Sequence, residues 1–168
     1  MVFAAIDIGS NAIRLLFCRV YNVDGKPHYS KEELFRMPIR LGEDVFLQGK
    51  ITVQKADRLI TALKGYSELI KAYGVEKYRA VATSAMRDAS NGAEIIARVK
   101  SEAGIEVEII DGKNEAALVF SNHIEELLNP KHAYLYIDVG GGSTEITLYY
   151  ENKVVASRSF DIGTVRML

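Results

Sequence analysis

Between Val2 and Ile8 apolar residues follow one another almost without interruption, the pattern of a strand buried on both faces, and the run closes on the turn signal Asp7-Ile8-Gly9-Ser10-Asn11. Ala12 to Val23 reads as a second strand (Ile13, Leu15, Phe17, Val20), Asp24-Gly25 marks a hairpin, and Pro27 to Ile39 predicts a third strand. The chain therefore opens as an antiparallel three-strand meander. Thr52 then begins a helical pattern, with Ala56, Leu59, Ile60, Leu63, Tyr66, Leu69, Ile70 and Tyr73 at three- and four-residue steps and Gly74 as its stop. Gly65 inside it costs up to ~1 kcal/mol relative to Ala, which close packing would have to offset.

Alternation follows. Tyr78 to Thr83 predicts a strand, Ala93 to Ala103 a helix stopped by Gly104, Glu106 to Ile110 a strand and Glu115 to Leu128 a helix, which together with the meander make an α/β unit around a mixed sheet. Asn129-Pro130-Lys131 is the clear boundary, because proline stops the helix and the character reverts to strands. His132 to Val139, Ser143 to Tyr150 and Val154 to Phe160 form a second meander, with Glu151-Asn152-Lys153 at its hairpin. The expected organisation is a first lobe over residues 1–128 and the beginning of a second over 129–168.

Composition narrows the class. With 48% hydrophobic and 26% charged residues among 168, the chain is globular, neither disordered nor membrane-embedded. A net charge of −1 supplies no long-range field for nucleic acid or an anionic membrane, so any anion site must be local. Cys18 has no disulfide partner, which fits a reducing, cytoplasmic setting. The N-terminal residues meet Asp7 before any basic residue, unlike a signal peptide, and no apolar run approaches the ~18 residues of a membrane helix.

The two meanders repeat one another. Ala5-Ile6-Asp7-Ile8-Gly9 followed by Ser10-Asn11 matches Tyr136-Ile137-Asp138-Val139-Gly140 followed by Gly141-Gly142-Ser143-Thr144, each with an aspartate at the end of a strand before a glycine-opened turn. Either copy alone is accounted for by an ordinary hairpin. As a pair they predict two related lobes whose turns face each other across a cleft. Gly140, Gly141 and Gly142 let the backbone approach an anion, with the Ser143 and Thr144 hydroxyls adding donors, and phosphate is the natural guest. Asp7 and Asp138 could then hold a Mg²⁺ ion beside it.

Four segments carry a resemblance. Asp7-Ile8-Gly9-Ser10-Asn11-Ala12-Ile13-Arg14-Leu15, Ala82-Thr83-Ser84-Ala85-Met86-Arg87-Asp88-Ala89-Ser90-Asn91, Ile110-Asp111-Gly112-Lys113-Asn114-Glu115-Ala116 and Ile137-Asp138-Val139-Gly140-Gly141-Gly142-Ser143-Thr144-Glu145 together resemble the exopolyphosphatase / guanosine pentaphosphate phosphohydrolase (Ppx/GppA) family. The resemblance runs along the whole chain in order. It implies the ribonuclease H-like fold of the actin-like, sugar kinase and Hsp70 ATPase superfamily: a mixed five-stranded sheet with helices, plus here the first β-meander of a second similar lobe.

Residue by residue, the resemblance implies that Glu115 is the general base that orients and deprotonates the attacking water. Arg87 with Ser84 would bind phosphate, as would Ser10, Asn11 and Arg14 at the first turn and Gly140, Gly141, Gly142, Ser143 and Thr144 at the second. Glu145 resembles the family's second acidic residue, acting with Asp138 near the metal and the water, so Asp7, Asp138 and Glu145 form the expected Mg²⁺ set. Plainer readings stand beside these: Glu115 as an acid near a helix N-terminus, Arg87 paired to Asp88, Arg14 paired to an acidic neighbour, and Glu145 as a solvated charge. His28, His123 and His132 lack metal-ligand spacing, and Tyr134, Tyr136, Tyr149 and Tyr150 read as strand packing.

Two departures stand out. The family usually has a pair of acids where this chain has Asn114-Glu115. Gly163-Thr164-Val165-Arg166-Met167-Leu168 resembles a stretch after which family members continue, so the 168 residues are expected to be the N-terminal half of a longer protein, with little turnover on their own. The implied activity is release of terminal phosphate from inorganic polyphosphate, with guanosine pentaphosphate as the alternative substrate and a homodimer as the full-length form. An ATP-dependent sugar or acetate kinase would share only the glycine turns. A non-enzymatic alternative is an actin-like module that senses phosphate by lobe motion.

Overall fold

A computed structural model describes residues 1–112, 114, 115, 118, 129, 131–151 and 153–168. The opening meander forms β1 (Val2–Ile8), β2 (Ala12–Val23) and β3 (Lys26–Pro38), paired antiparallel. β1 departs from the doubly buried strand expected of it. Val2, Ala4, Ile6 and Ile8 are buried while Ala5 between them is exposed, so the strand alternates like any strand with one packed face.

Two short helices that the periodicity does not predict follow or flank the long one. α1 (Leu41–Gln48) starts from Arg40 in the left-handed region (φ 60°, ψ 47°) with no side-chain cap. Tertiary bonds replace the missing cap: Arg40 N–H donates to the Asn11 carbonyl at 2.8 Å, Gly42 N–H to the Ser10 carbonyl at 2.8 Å, and Lys55 Nζ holds the Arg40 carbonyl at 2.7 Å. α2 (Val53–Ala72) is the expected long helix. Its cap is Thr52, whose hydroxyl accepts from Lys55 N–H at 3.4 Å while donating to Asp44 at 2.6 Å. Gly65 in α2 has nothing within 4 Å of where a Cβ would sit, so no close packing offsets its cost.

The alternating half follows as β4 (Lys77–Ala82), the second unpredicted helix α3 (Ser84–Asp88), α4 (Gly92–Ala103) and a two-residue β5 (Glu108–Ile109) where a longer strand was expected. β4 runs parallel to both β1 and β5, giving a mixed five-stranded sheet in the order β3-β2-β1-β4-β5. This is the ribonuclease H-like arrangement. Leu59, Ile60 and Leu63 of α2 and Ile95 and Val99 of α4 close one face over Ile6, Ile8, Ile13 and Leu15. The helix expected over 115–128, with His123, Pro130 and Asn152, lies largely outside the described residues. Among described residues no helix is long and apolar enough to cross a membrane.

The second sheet is the expected meander, β6 (Tyr134–Val139), β7 (Thr144–Tyr150) and β8 (Lys153–Phe160), in the order β6-β7-β8. Its middle strand alternates sharply. Glu145, Thr147 and Tyr149 are buried on one face, while Leu135, Ile137 and Val139 of β6 are exposed on the other. The buried face is thus unusually polar, and Gly112 of the loop after β5 sits against its Glu145 and the neighbouring Ser159.

Candidate active site

The repeat holds at the level of single hydrogen bonds. At the first turn Gly9 N–H donates to the Ala12 carbonyl at 3.1 Å, and at the second Gly140 N–H donates to the Ser143 carbonyl at 2.9 Å. Register repeats too: Asp7 is the β2 partner of Arg14, and Asp138 is the β7 partner of Glu145. Parallel strands β1 and β4 end side by side, so the residues just past them, Gly9-Ser10-Asn11 and Thr83-Ser84, are brought to one edge, the usual place for a ligand in an open α/β sheet. The Ser10 and Ser84 hydroxyls bond each other there at 2.8 Å in a buried position.

Both turns open on one cleft of about 410 Å³, lined by Asp7, Ser10, Asn11, Arg14, Ser84, Glu115, Asp138, Gly140, Gly141, Ser143 and Glu145 among others. Three residues expected at the site are placed elsewhere. Arg87 pairs with Asp88 at 3.4 Å and donates to the Ile110 carbonyl at 3.3 Å, at the cleft's margin. Thr144 donates its hydroxyl to the Ile162 carbonyl at 2.6 Å. Gly142 faces the first lobe, where an added Cβ would collide with Ser84 Oγ, Phe46 Cζ and Ser10 Oγ. The absent side chain lets the turn seat against the other lobe.

Charge in the cleft is predominantly acidic. Arg14 donates to Asp7 at 2.6 Å, the pairing with an acidic neighbour that the sequence leaves open. Glu145 is buried rather than solvated, and its Oε1 accepts from Ser159 at 2.7 Å. Glu115 is held by the loop before it: its N–H donates to the Asp111 carbonyl at 2.9 Å, while Asn114 N–H takes the Asp111 carboxylate at 2.7 Å. Burial, then the charges of Glu145 and Asp7, raise the Glu115 carboxyl from 4.5 to about 7; the cation of Arg87 works in the opposite direction and Asp138 adds a smaller upward push. Glu115 Oε2 is buried with no hydrogen-bond partner among the described residues.

An unpartnered carboxylate oxygen amid other carboxylates is costly unless something with protons or positive charge completes it. Water answers the first description and a hard divalent cation the second. Among the described residues no three His, Cys, Asp or Glu side chains are already gathered into a metal cage. Mg²⁺ does not require one, since it commonly binds through one or two carboxylates with phosphate and water completing its shell.

Sequence reading missed Ser159, Gly112 and Arg166. Ser159 lies opposite Glu145 in the β7–β8 register, two residues on from Ser157, whose hydroxyl bonds Thr147 at 3.0 Å; this polar alternation on β8 was the available signal. Gly112 has no room for a Cβ against Ser159, which brings the Asp111–Gly112 loop down on β8. Arg166 stands in the Gly163–Leu168 stretch that resembles the family, but nothing in the sequence assigns it a role.

A ribonuclease H-like sheet whose strand ends meet a second glycine-turned meander across an acidic cleft is a fold of the actin-like kind. The sequence model of the Ppx/GppA phosphatase family matches residues 26–168, and the chain belongs to that family. Exopolyphosphatase 2 of Mycobacterium tuberculosis is 39% identical over 171 residues, covering 98% of this chain and 53% of its own length. An exopolyphosphatase structure from Cytophaga hutchinsonii matches with a TM-score of 0.87 and 32% identity over 99% of this chain and 52% of that one. An Aquifex aeolicus member of the Ppx/GppA family matches at 0.81 and 35% over 99% and 53%. The chain spans about half the length of the curated exopolyphosphatases it matches.

Proposed function

We propose that this chain carries the phosphate-binding and water-activating part of a phosphohydrolase that removes the terminal phosphate of inorganic polyphosphate. The observation that carries the reading is Glu115, whose unpartnered Oε2 stands in a cleft shared with Asp7, Asp138 and Glu145. Its relatives named exopolyphosphatases support the substrate class.

In this reading Glu115 accepts a hydrogen bond from a water molecule and takes its proton as the water oxygen bonds to the terminal phosphorus. The bond from that phosphorus to the bridging oxygen breaks, giving orthophosphate and a chain one phosphate shorter. Positioning supplies more of the rate than proton abstraction in so loose a transition state. Ser10, Asn11 and Ser84 on one side and Gly140, Gly141 and Ser143 on the other orient the phosphate oxygens, with Arg14 released from Asp7 and Arg87 turned from Asp88 toward the incoming anion. Mg²⁺ fits the all-oxygen donor set; Asp7, Asp138 and Glu145 would hold it, and when bound it would offset charge on the phosphoryl group. The same reading places the protein in the cytoplasm as a homodimer with neither nucleic acid nor membrane as partner.

The test is Mg²⁺-dependent phosphate release from long-chain polyphosphate and from guanosine pentaphosphate, with the full-length protein beside its Glu115→Gln variant. Release from polyphosphate that collapses in the variant supports the reading. Preference for the nucleotide reassigns the substrate, and no release from either by folded protein overturns the hydrolase.

A further inference from the structure

All three carbonyls of the triglycine turn are held by the residues that follow β8. The Gly140 carbonyl accepts from Thr164 N–H at 3.0 Å, and the Gly141 carbonyl from Val165 N–H at 2.8 Å and Arg166 N–H at 3.0 Å. The Gly142 carbonyl accepts from the Arg166 side chain, Nε, at 2.6 Å. Gly163 makes this embrace possible, because a Cβ there would collide with the Gly141 backbone.

Arg166 then reaches across to the first lobe. Its Nη2 bonds Asp88 of α3, and its guanidinium lies 4.1 Å from the centroid of the Phe46 ring of α1. Asp161 stands 3.7 Å from the same Nη2. Asp88 is shared, since its other carboxylate oxygen pairs with Arg87 Nε at 3.4 Å. One planar fork therefore connects the second-lobe turn, α1 and α3, a geometry a lysine ammonium cannot reproduce.

We propose that Thr164–Arg166 act as a carbonyl clamp, with Arg166 the positioning residue that turns the amides of residues 141–143 toward the cleft. A trans peptide places its N–H opposite its C=O, so fixing each carbonyl on the Arg166 side aims the next amide the other way. Free to rotate, those carbonyls would present partial negative charge to a phosphate; held back, they leave a concave set of N–H donors. Gly141 and Ser143, which carry two of those amides, both line the cleft. The clamp also sets the direction of Arg87 through the shared Asp88.

This inference rests on the cleft being an anion site, and its test separates from the hydrolase test. The full-length protein and its Arg166→Met and Arg166→Lys variants are titrated with inorganic phosphate while the amide resonances of residues 140–143 are followed by ¹⁵N–¹H correlation spectroscopy, with thermal unfolding measured alongside. Wild-type amides are expected to shift on phosphate addition, with affinity about tenfold weaker in Arg166→Met and intermediate in Arg166→Lys, as for loss of a charge-assisted bond. A purely structural arginine would lower the unfolding temperature and leave affinity unchanged. Equal phosphate affinity in a folded variant, or wild-type amides that do not respond, overturns the clamp. Should Arg166→Met fail to fold, Arg166→Lys decides. Phosphate binding that depends on Arg166 without polyphosphate hydrolysis leaves the clamp standing and removes the proposed reaction.

Discussion

Asp138 and Glu145 stand directly opposite one another in the β6–β7 ladder. In the first lobe the same register sets Arg14 opposite Asp7, and the two neutralise each other at 2.6 Å. The second lobe thus opposes two acids where the first opposes an acid and a base. Like charges directly opposed on a sheet cost up to about 1 kcal/mol. Glu145→Gln is therefore expected to stabilise the fold in chelator by about that energy, seen as a higher unfolding temperature, and to lose most of the stabilisation that millimolar Mg²⁺ gives the wild type. Calorimetry with and without the metal reads both effects; Mg²⁺ that stabilises the two proteins equally would move the cation elsewhere.

Glu115 should mark the pH dependence. The fold keeps its proton up to about pH 7, whereas the unfolded chain releases it near 4.5. Its contribution to stability is complete below about 4.5 and is lost as pH rises through 7. Urea unfolding of Glu115→Gln should match the wild type near pH 5 and exceed it at pH 8 by on the order of 1–3 kcal/mol. Activity should run the other way, rising as the carboxylate forms. The variant is expected to lose this acid limb and about 10²–10⁴-fold of the rate.

Arg14 separates binding from folding. Its pair with Asp7 is open to water, with the two side chains 48% and 40% exposed, so it contributes about 0–1 kcal/mol to the fold. Arg14→Met should leave the urea midpoint nearly unchanged while weakening phosphate binding roughly tenfold or more, as for a lost charge-assisted bond. Titration calorimetry beside urea unfolding tests this; a large stability loss with intact affinity would make Arg14 purely structural.

Two glycines should respond in opposite directions. Nothing lies within 4 Å of a Cβ at Gly65, inside α2, so Gly65→Ala is expected to stabilise by up to about 1 kcal/mol. Gly142 is crowded by Ser84, Phe46 and Ser10, and Gly142→Ala should destabilise by about 1–3 kcal/mol and weaken phosphate binding. Denaturant midpoints of the two variants check both signs.

Much of this was legible because it is periodic or local. Alternation marked β2, β6 and β7, the three- and four-residue steps marked α2, and Thr52 and Gly104 bounded their helices because capping is written in the neighbouring residues. Repetition of Asp-x-Gly exposed the kinship of the two turns. α1 and α3 were not legible, since eight- and five-residue helices cannot meet the cost of nucleation alone; bonds made only in the folded chain hold them, from Arg40 and Gly42 to the Asn11 and Ser10 carbonyls for α1 and between the Ser84 and Ser10 hydroxyls for α3. Arg166 is further beyond reach, because its partner Asp88 lies 78 residues away and no spacing rule connects them. Even Gly142 was anticipated for a different reason, as room for a ligand, where the structure uses it as room for Ser84 and Phe46.

The clamp orders events in time. Its donors follow β8, whereas the carbonyls they hold lie between β6 and β7, so on a chain made from its N-terminus the turn is synthesised first and must wait for its own fastening. The surfaces it seats against, Ser10, Phe46 and Ser84, have left the ribosome long before. The second turn can therefore dock on a lobe already built, but its amides take their final direction only once Arg166 has emerged.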